Sequence, residues 1–202
     1  MEKITNQVEN LFSEKEQWDA FLELSPQVEK IKNDWFTKIK STLNKIFNVD
    51  DIVEGWEFDS TDGDYRWYLK EFGRNTIYLF FDYSSFGLYA NGETMNITSL
   101  KTKLREKACL PIIAGFERLD YCLEDDEEWY LLYETGNFSF GSSSDKYIDE
   151  NSLAWYANYR NEDFSIQLHQ KVDKFRKNKE ITKLFVDLNS ITIRNTRKKT
   201  SI

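Results

Sequence analysis

The sequence predicts an α+β domain: an antiparallel sheet of four to six strands packed against N-terminal and C-terminal helices. Three observations predict it. Asn75 to Ala90, NTIYLFFDYSSFGLYA, is β-branched and aromatic almost throughout, which suits a pleated surface packed on both faces. Ahead of it, apolar residues recur at three- and four-residue steps from Val28 to Ile46, the mark of an amphipathic helix. Beyond Glu150 the helical period returns. At 202 residues, with 40% hydrophobic and 16% aromatic content, a single domain over 1–189 accounts for the chain. The basic tail 190–202 lacks a core pattern and is expected to fray.

Each element has its own signal. Ser13-Glu14-Lys15-Glu16 fits a capping box, opening a short helix with Trp18, Phe21 and Leu22. Leu24 then precedes Ser25-Pro26, an N-cap followed by proline at the first helical position. Val28, Ile31, Trp35, Phe36, Ile39, Leu43 and Ile46 form the apolar stripe of the next helix. Lys30, Lys32, Lys38, Lys40 and Lys45 fall mainly off that stripe and read as a solvated face.

Trp56 to Ser60 and Asp64 to Phe72 flank Thr61-Asp62-Gly63, a hairpin signal. In the second of these strands Tyr65, Trp67 and Leu69 share one face, and Arg66, Tyr68 and Lys70 the other. Gly73-Arg74-Asn75 turns into the central strand, and Ser84-Ser85 turns into Phe86 to Ala90. The third strand is apolar on both faces and belongs inside the sheet. Asn96 or Thr98 caps a helix with Leu100, Leu104 and Ala108 on one side, which Pro111 ends or kinks. Ile112 to Leu119 suits helix or strand. Trp129 to Tyr133 reads as a strand, and Gly136 to Ser144 as a loop with a short edge strand at Phe138–Phe140. Helices follow over Glu150 to Tyr159, Asp163 to Asn178 and Ile181 to Leu188.

Charge and composition bound the function. From Gln170 to Ile202 ten Lys and Arg stand against three Asp and Glu (+7), so the total of −8 leaves −15 on residues 1–169. An acidic balance disfavours general nucleic-acid binding, whose affinity comes mainly from neutralising phosphates. A local basic end can still meet an anionic partner, and Lys171, Lys174, Arg176, Lys177, Arg197, Lys198 and Lys199 are its candidate phosphate contacts. No apolar run approaches the roughly 20 residues of a membrane span, and the N-terminus has no signal-like apolar region. The expected compartment is the cytoplasm, with Cys109 and Cys122 reduced and structural.

Catalytic patterns find no foothold: GxxxxGK[ST], GxGxxG and GxSxG do not occur. His169, the one histidine, has no Ser or Cys partner suggested by sequence and reads as structural or surface. One His and two separated Cys do not make a usual zinc set. Asp59, Asp62 and Asp64 resemble part of a calcium loop, but Gly63 falls one place early and no closing glutamate follows. A hairpin turn explains them better. No metal or cofactor is expected. The run Glu124, Asp125, Asp126, Glu127, Glu128 is a solvated turn or a patch for a basic partner. Six Trp, eleven Tyr and fifteen Phe exceed what a modest core requires. Large rings are enriched at protein interfaces, so Tyr65, Tyr83, Tyr89, Tyr156 and Tyr159 are candidate partner contacts beside the carboxylates.

The stretches GDYRWYLKEF, NTIYLFFDYSSFGLYA and EEWYLLYETGNFS, followed by a helix with Trp155 and Tyr159, resemble the non-catalytic C-terminal part of phage and bacterial proteins of the PD-(D/E)XK nuclease superfamily. That chemistry needs Glu or Asp two places before a lysine, to hold a divalent metal and position a water. No Asp or Glu here has a Lys two positions on; the nearest approach is Asp64-Tyr65-Arg66. The resemblance therefore implies a scaffold without the active site. The expected function is a non-enzymatic protein-binding module, with a nucleic-acid-processing complex among its possible partners. An inhibitor or immunity-type protein fits, such as a phage-encoded antagonist of a bacterial defence nuclease. The alternative is an accessory nucleic-acid-binding module using the basic C-terminal segment.

Overall fold

The computed structural model describes residues 15–60, 64–82, 85–117, 119, 129–135 and 150–193. Helix α1 (Lys15–Leu24) passes through a 3₁₀ turn (Ser25–Gln27) into α2 (Val28–Lys45), which closes in a π turn (Ile46–Asp50). Pro26 sits in the first turn, where its missing N–H costs nothing. Four strands follow: β1 (Trp56–Asp59), β2 (Tyr65–Leu69), β3 (Ile77–Phe81) and β4 (Ser85–Ala90). Next come α3 (Ile97–Leu104), a 3₁₀ turn (Lys107–Cys109), the short α4 (Leu110–Ile113) and β5 (Tyr130–Thr135). The chain ends in α5 (Glu150–Tyr159), α6 (Asn161–Arg176) and α7 (Lys179–Asn189). The fold class is α+β, as the sequence predicts.

The sheet is an antiparallel meander, β1-β2-β3-β4-β5, so β3 lies at its centre with all five residues buried. Alternation sorts its side chains. Trp56, Phe58, Tyr65, Trp67, Leu69, Ile77, Leu79, Phe81, Phe86 and Leu88 face the helices and join one core with Phe36, Ile39 and Leu43 of α2, Phe164, Leu168 and Phe175 of α6, and Phe185 of α7. Each large side chain buried this way contributes about 1.5–3 kcal/mol. Asn189 at the end of α7 ties helix to sheet: its Oδ1 accepts from the Ile77 N–H (3.3 Å) while its Nδ2 donates to the Phe185 carbonyl (2.8 Å). Asn96 caps α3 by accepting from the Ser99 N–H, and Asn178 caps α7 by accepting from Glu180 and Ile181.

Several local expectations change. Pro111 does not end the helix after Asn96; α3 stops at Leu104, and Pro111 opens α4, again at a position needing no donor. Ile112 and Ile113 are helical, and no strand forms among the described residues of 112–119. Lys32 is buried rather than solvated, its ammonium held by Glu29 at 2.8 Å one turn earlier. The first residues past 189 are anchored: Thr192 bridges to Met95, Asn96 N donates to Ile191 O, and Ile193 N donates to Thr94 O. Ser13, the 61–63 turn, the acidic run 124–128, the 136–149 segment with its expected edge strand, and Arg197, Lys198 and Lys199 lie outside the described residues.

Candidate functional site

Turning Trp67 toward the core turns Arg66 and Tyr68 the other way, and the register carries that pattern across the sheet. Tyr68 faces Tyr78, Arg66 faces Phe80, and Tyr78 faces Tyr89. On β5, Tyr133 lies opposite Gly87, and a bulge between Leu88 and Tyr89 sets Tyr130 opposite Tyr89. The sheet face away from the helices is therefore aromatic. Tyr68, Tyr78 and Phe80 are buried there in a cluster of their own, with Tyr89 and Tyr133 packed against it. Phe80 lies over Gly87, where a Cβ would come within 2.5 Å of its ring and 2.3 Å of the Leu132 carbonyl. Only glycine leaves room for that ring.

Charges are set among the rings. Arg66 reaches Asp64 (3.0 Å) and holds its guanidinium 5.0 Å from the centroid of Tyr78, a cation–π geometry. Its Nε–H is buried without a hydrogen-bond partner. Tyr78 in turn stacks on Tyr89 at 4.8 Å. Burial pushes Tyr78 well above the usual phenol range despite the opposing charge of Arg66. Burial also raises Tyr89 and Tyr68, aided by neighbouring Tyr130 in the first case and by Glu57 in the second. All three phenols are hydrogen-bond donors at neutral pH. Two clefts open between the rings. One, of about 130 Å³, is lined by Asp64, Arg66, Tyr78, Asp82 and Tyr89 among others; the second, of about 280 Å³, by Phe80, Asp82, Ser85, Tyr130 and Tyr133.

A second constellation lies where the π turn meets α6. Asp51 Oδ2 is 2.5 Å from His169 Nε2, and Asp173 is 3.3 Å from the same nitrogen. One His and two carboxylates within reach of one another can in principle hold a metal ion. The donor set is already occupied, however. Arg176 contacts both Asp51 and Asp173, and Lys177 lies 2.9 and 2.7 Å from them. The Arg176 guanidinium also packs 4.6 Å over the Phe47 ring. A divalent ion would have to displace a buried guanidinium, so the residues fit an ion-pair clamp and not a metal centre. Burial alone would raise Asp51, but hydrogen bonds from Lys177 and His169 and the charge of Arg176 outweigh it and bring the carboxyl down to about 2.

The candidate residues read from sequence divide sharply. Tyr65 is a core residue, stacked between Phe58 and Phe81, and offers no surface to a partner. Tyr89 belongs to the aromatic face. Tyr156 is half-buried against the core, while Tyr159 is exposed and stands in a ledge with Trp155 (5.2 Å) and Trp35 (5.8 Å) on the helical side. Asp59 and Asp64 flank the aromatic face, paired to Arg74 and Arg66. Of the basic candidates, Lys171 and Arg176 are buried and cannot reach phosphates. Lys171 binds the core carboxylate Glu134 at 2.7 Å. Lys174 and Lys177 are half exposed and engaged by carboxylates, Lys174 with Glu117 at 2.8 Å. Tyr83, Asp62, the 124–128 run and Arg197 to Lys199 lie outside the described residues.

Sequence reading missed Arg66, Tyr78, Phe80, Asp82, Tyr130 and Tyr133 as site residues. The signal was the alternation itself: the positions of β2, β3 and β4 on the face away from the helices are aromatic where polar residues are usual. Compared with known proteins, the chain matches no family model, no curated protein and no solved structure.

Proposed function

We propose that this chain is a protein-binding module whose contact surface is the aromatic face of its sheet. The observation that carries the reading is the exposed Tyr130 with the half-buried Tyr89 and Tyr133, set over a buried layer of Tyr68, Tyr78 and Phe80 and interleaved with Glu57, Asp59, Asp64 and Asp82. Tyrosines with a central arginine are the side chains that dominate interface energetics, because they bury much area at little entropic cost. The carboxylates and the chain's acidic balance favour a partner with a basic surface. An inhibitor or immunity-type role in the cytoplasm suits this chemistry, including antagonism of a nucleic-acid-processing enzyme by placing carboxylates where it receives phosphates.

The phosphate-binding alternative has less support among the described residues, where Lys171, Lys174, Arg176 and Lys177 are matched by Glu117, Glu134, Asp51 and Asp173 inside the fold. Affinity capture from the native host tests the proposal. The wild-type chain should retain a stoichiometric protein that Tyr89→Ala and Tyr130→Ala lose together. Recovery of no such protein, or of nucleic acid with a steep salt dependence, would sink it.

A further inference from the structure

Arg66 shows how this surface holds a guanidinium. The cation lies over a tyrosine ring and is paired with a carboxylate at its edge. The same two ingredients recur one strand over. The 280 Å³ cleft is lined by the buried Phe80, by Tyr130 and Tyr133, and by Asp82 and Ser85. The two clefts adjoin, sharing Phe80, Asp82 and Tyr130. At about 30 Å³ per water, the larger one spans roughly nine waters, room for a long side chain but not for a folded element.

We infer that this cleft seats an arginine side chain of the partner protein, with Asp82 taking the guanidinium and the Phe80, Tyr130 and Tyr133 rings flanking it. The inference rests on the protein-binding reading above. Charge and shape together select the occupant. A carboxylate in the lining disfavours phosphate or an acidic side chain, and planar aromatic rings favour the flat guanidinium over a compact, strongly hydrated ammonium. Asp82 is held in place locally: its Oδ1 accepts from the Ser85 N–H at 2.7 Å, and its own N–H donates to the Ser85 carbonyl at 3.2 Å. These two hydrogen bonds to Ser85 hold the carboxylate in the lining of the cleft.

The test uses the full chain with capped hexa-arginine and hexa-lysine peptides, by calorimetry and amide chemical-shift mapping, at about 50 mM salt so that screening does not mask the contact. Hexa-arginine should shift residues around 80–85 and 130–133 and bind at least about fivefold more tightly than hexa-lysine. Asp82→Asn, which keeps the turn's acceptor, should weaken it about five- to tenfold. Tyr130→Ala should do likewise, and Glu180→Gln on α7 should change nothing. Equal binding of both peptides, or arginine binding indifferent to Asp82→Asn and Tyr130→Ala, overturns the cleft assignment while leaving an acidic docking face in place. No binding of either peptide overturns the inference and counts against a basic partner altogether.

Discussion

The guanidinium of Arg66 lies 5.0 Å from the ring centroid of Tyr78, on the face of the sheet turned away from every helix of the core. Both belong to neighbouring strands, and both point outward because Trp67 and Leu79 point inward. Tyr78 is kept neutral there chiefly by burial. Because the folded-state value is raised above the ordinary 10.0, the resulting stability is full below about pH 10 and is lost as pH climbs toward the folded value. Tyr78→Phe should leave stability at neutral pH within about 1 kcal/mol and flatten the loss of melting temperature between pH 9 and about 11. An unchanged alkaline limb would show that Tyr78 is not a principal source of it; Tyr68 and Tyr89, also raised, would remain.

Much of this fold was legible because its signals are local. The stripe from Ile31 to Leu43 and the run TIYLFF each act within a few residues, and the helix and the central strand formed where those signals lay. The site was less legible, because it depends on register. Tyr130 meets Tyr89 through a bulge that periodicity does not announce. Tyr65 and Tyr89 look alike in composition, yet strand alternation puts one in the core and the other on the face. His169 finds Asp51 across 118 positions of chain, a pairing without sequence signature. The basic helix looked like a phosphate surface because its carboxylate partners come from the π turn, the segment after α4 and β5.

Acid stability should report the clamp at the π turn. The Asp51 carboxyl is brought down to about 2 from 3.8, so its contribution is present above about pH 4 and disappears as pH falls through 2. Asp51→Asn should lower the melting temperature at pH 6 and make the decline between pH 4 and 2 shallower than in the wild type. Two parallel acid limbs would remove Asp51 from the explanation. Arg176→Ala is the harsher variant: it removes the buried guanidinium from Asp51 and Asp173, leaving them to Lys177 and His169, and opens a hole over Phe47, and should cost about 2–4 kcal/mol in urea unfolding.

Lys101 on α3 is 3% exposed, and its ammonium nitrogen has no hydrogen-bond partner. Leu100 and Leu104 beside it are fully buried. A cation in that position forfeits hydration without receiving an ion pair, so exchanging it for an unbranched apolar chain of similar length removes a cost. Lys101→Met should raise the urea midpoint at unchanged slope, by about 1–2 kcal/mol of stability. A lower midpoint would mean the ammonium is satisfied in solution, for instance by ordered water.

Lys171 and Glu134 give the last prediction, because they separate structure from phosphate binding. Glu134 projects from β5 into the core, accepts from Lys171 Nζ at 2.7 Å and from the Glu117 N–H at 2.7 Å, and is 2% exposed. Lys171 also reaches Glu117 at 3.4 Å, so this one lysine joins α6, β5 and the segment after α4. Removing either partner takes from the other's buried charge its 2.7 Å counter-ion, which costs about 3–5 kcal/mol; removing both avoids that mismatch. Lys171→Met alone should therefore destabilise strongly, while Lys171→Met with Glu134→Gln, which keeps an acceptor for the Glu117 N–H, should recover most of the loss. The coupling from the double-mutant cycle should be about 2 kcal/mol or more. If instead the single variant melts like the wild type and loses salt-dependent affinity for a nucleic acid, Lys171 serves phosphates and its buried pairing does not describe the protein in solution.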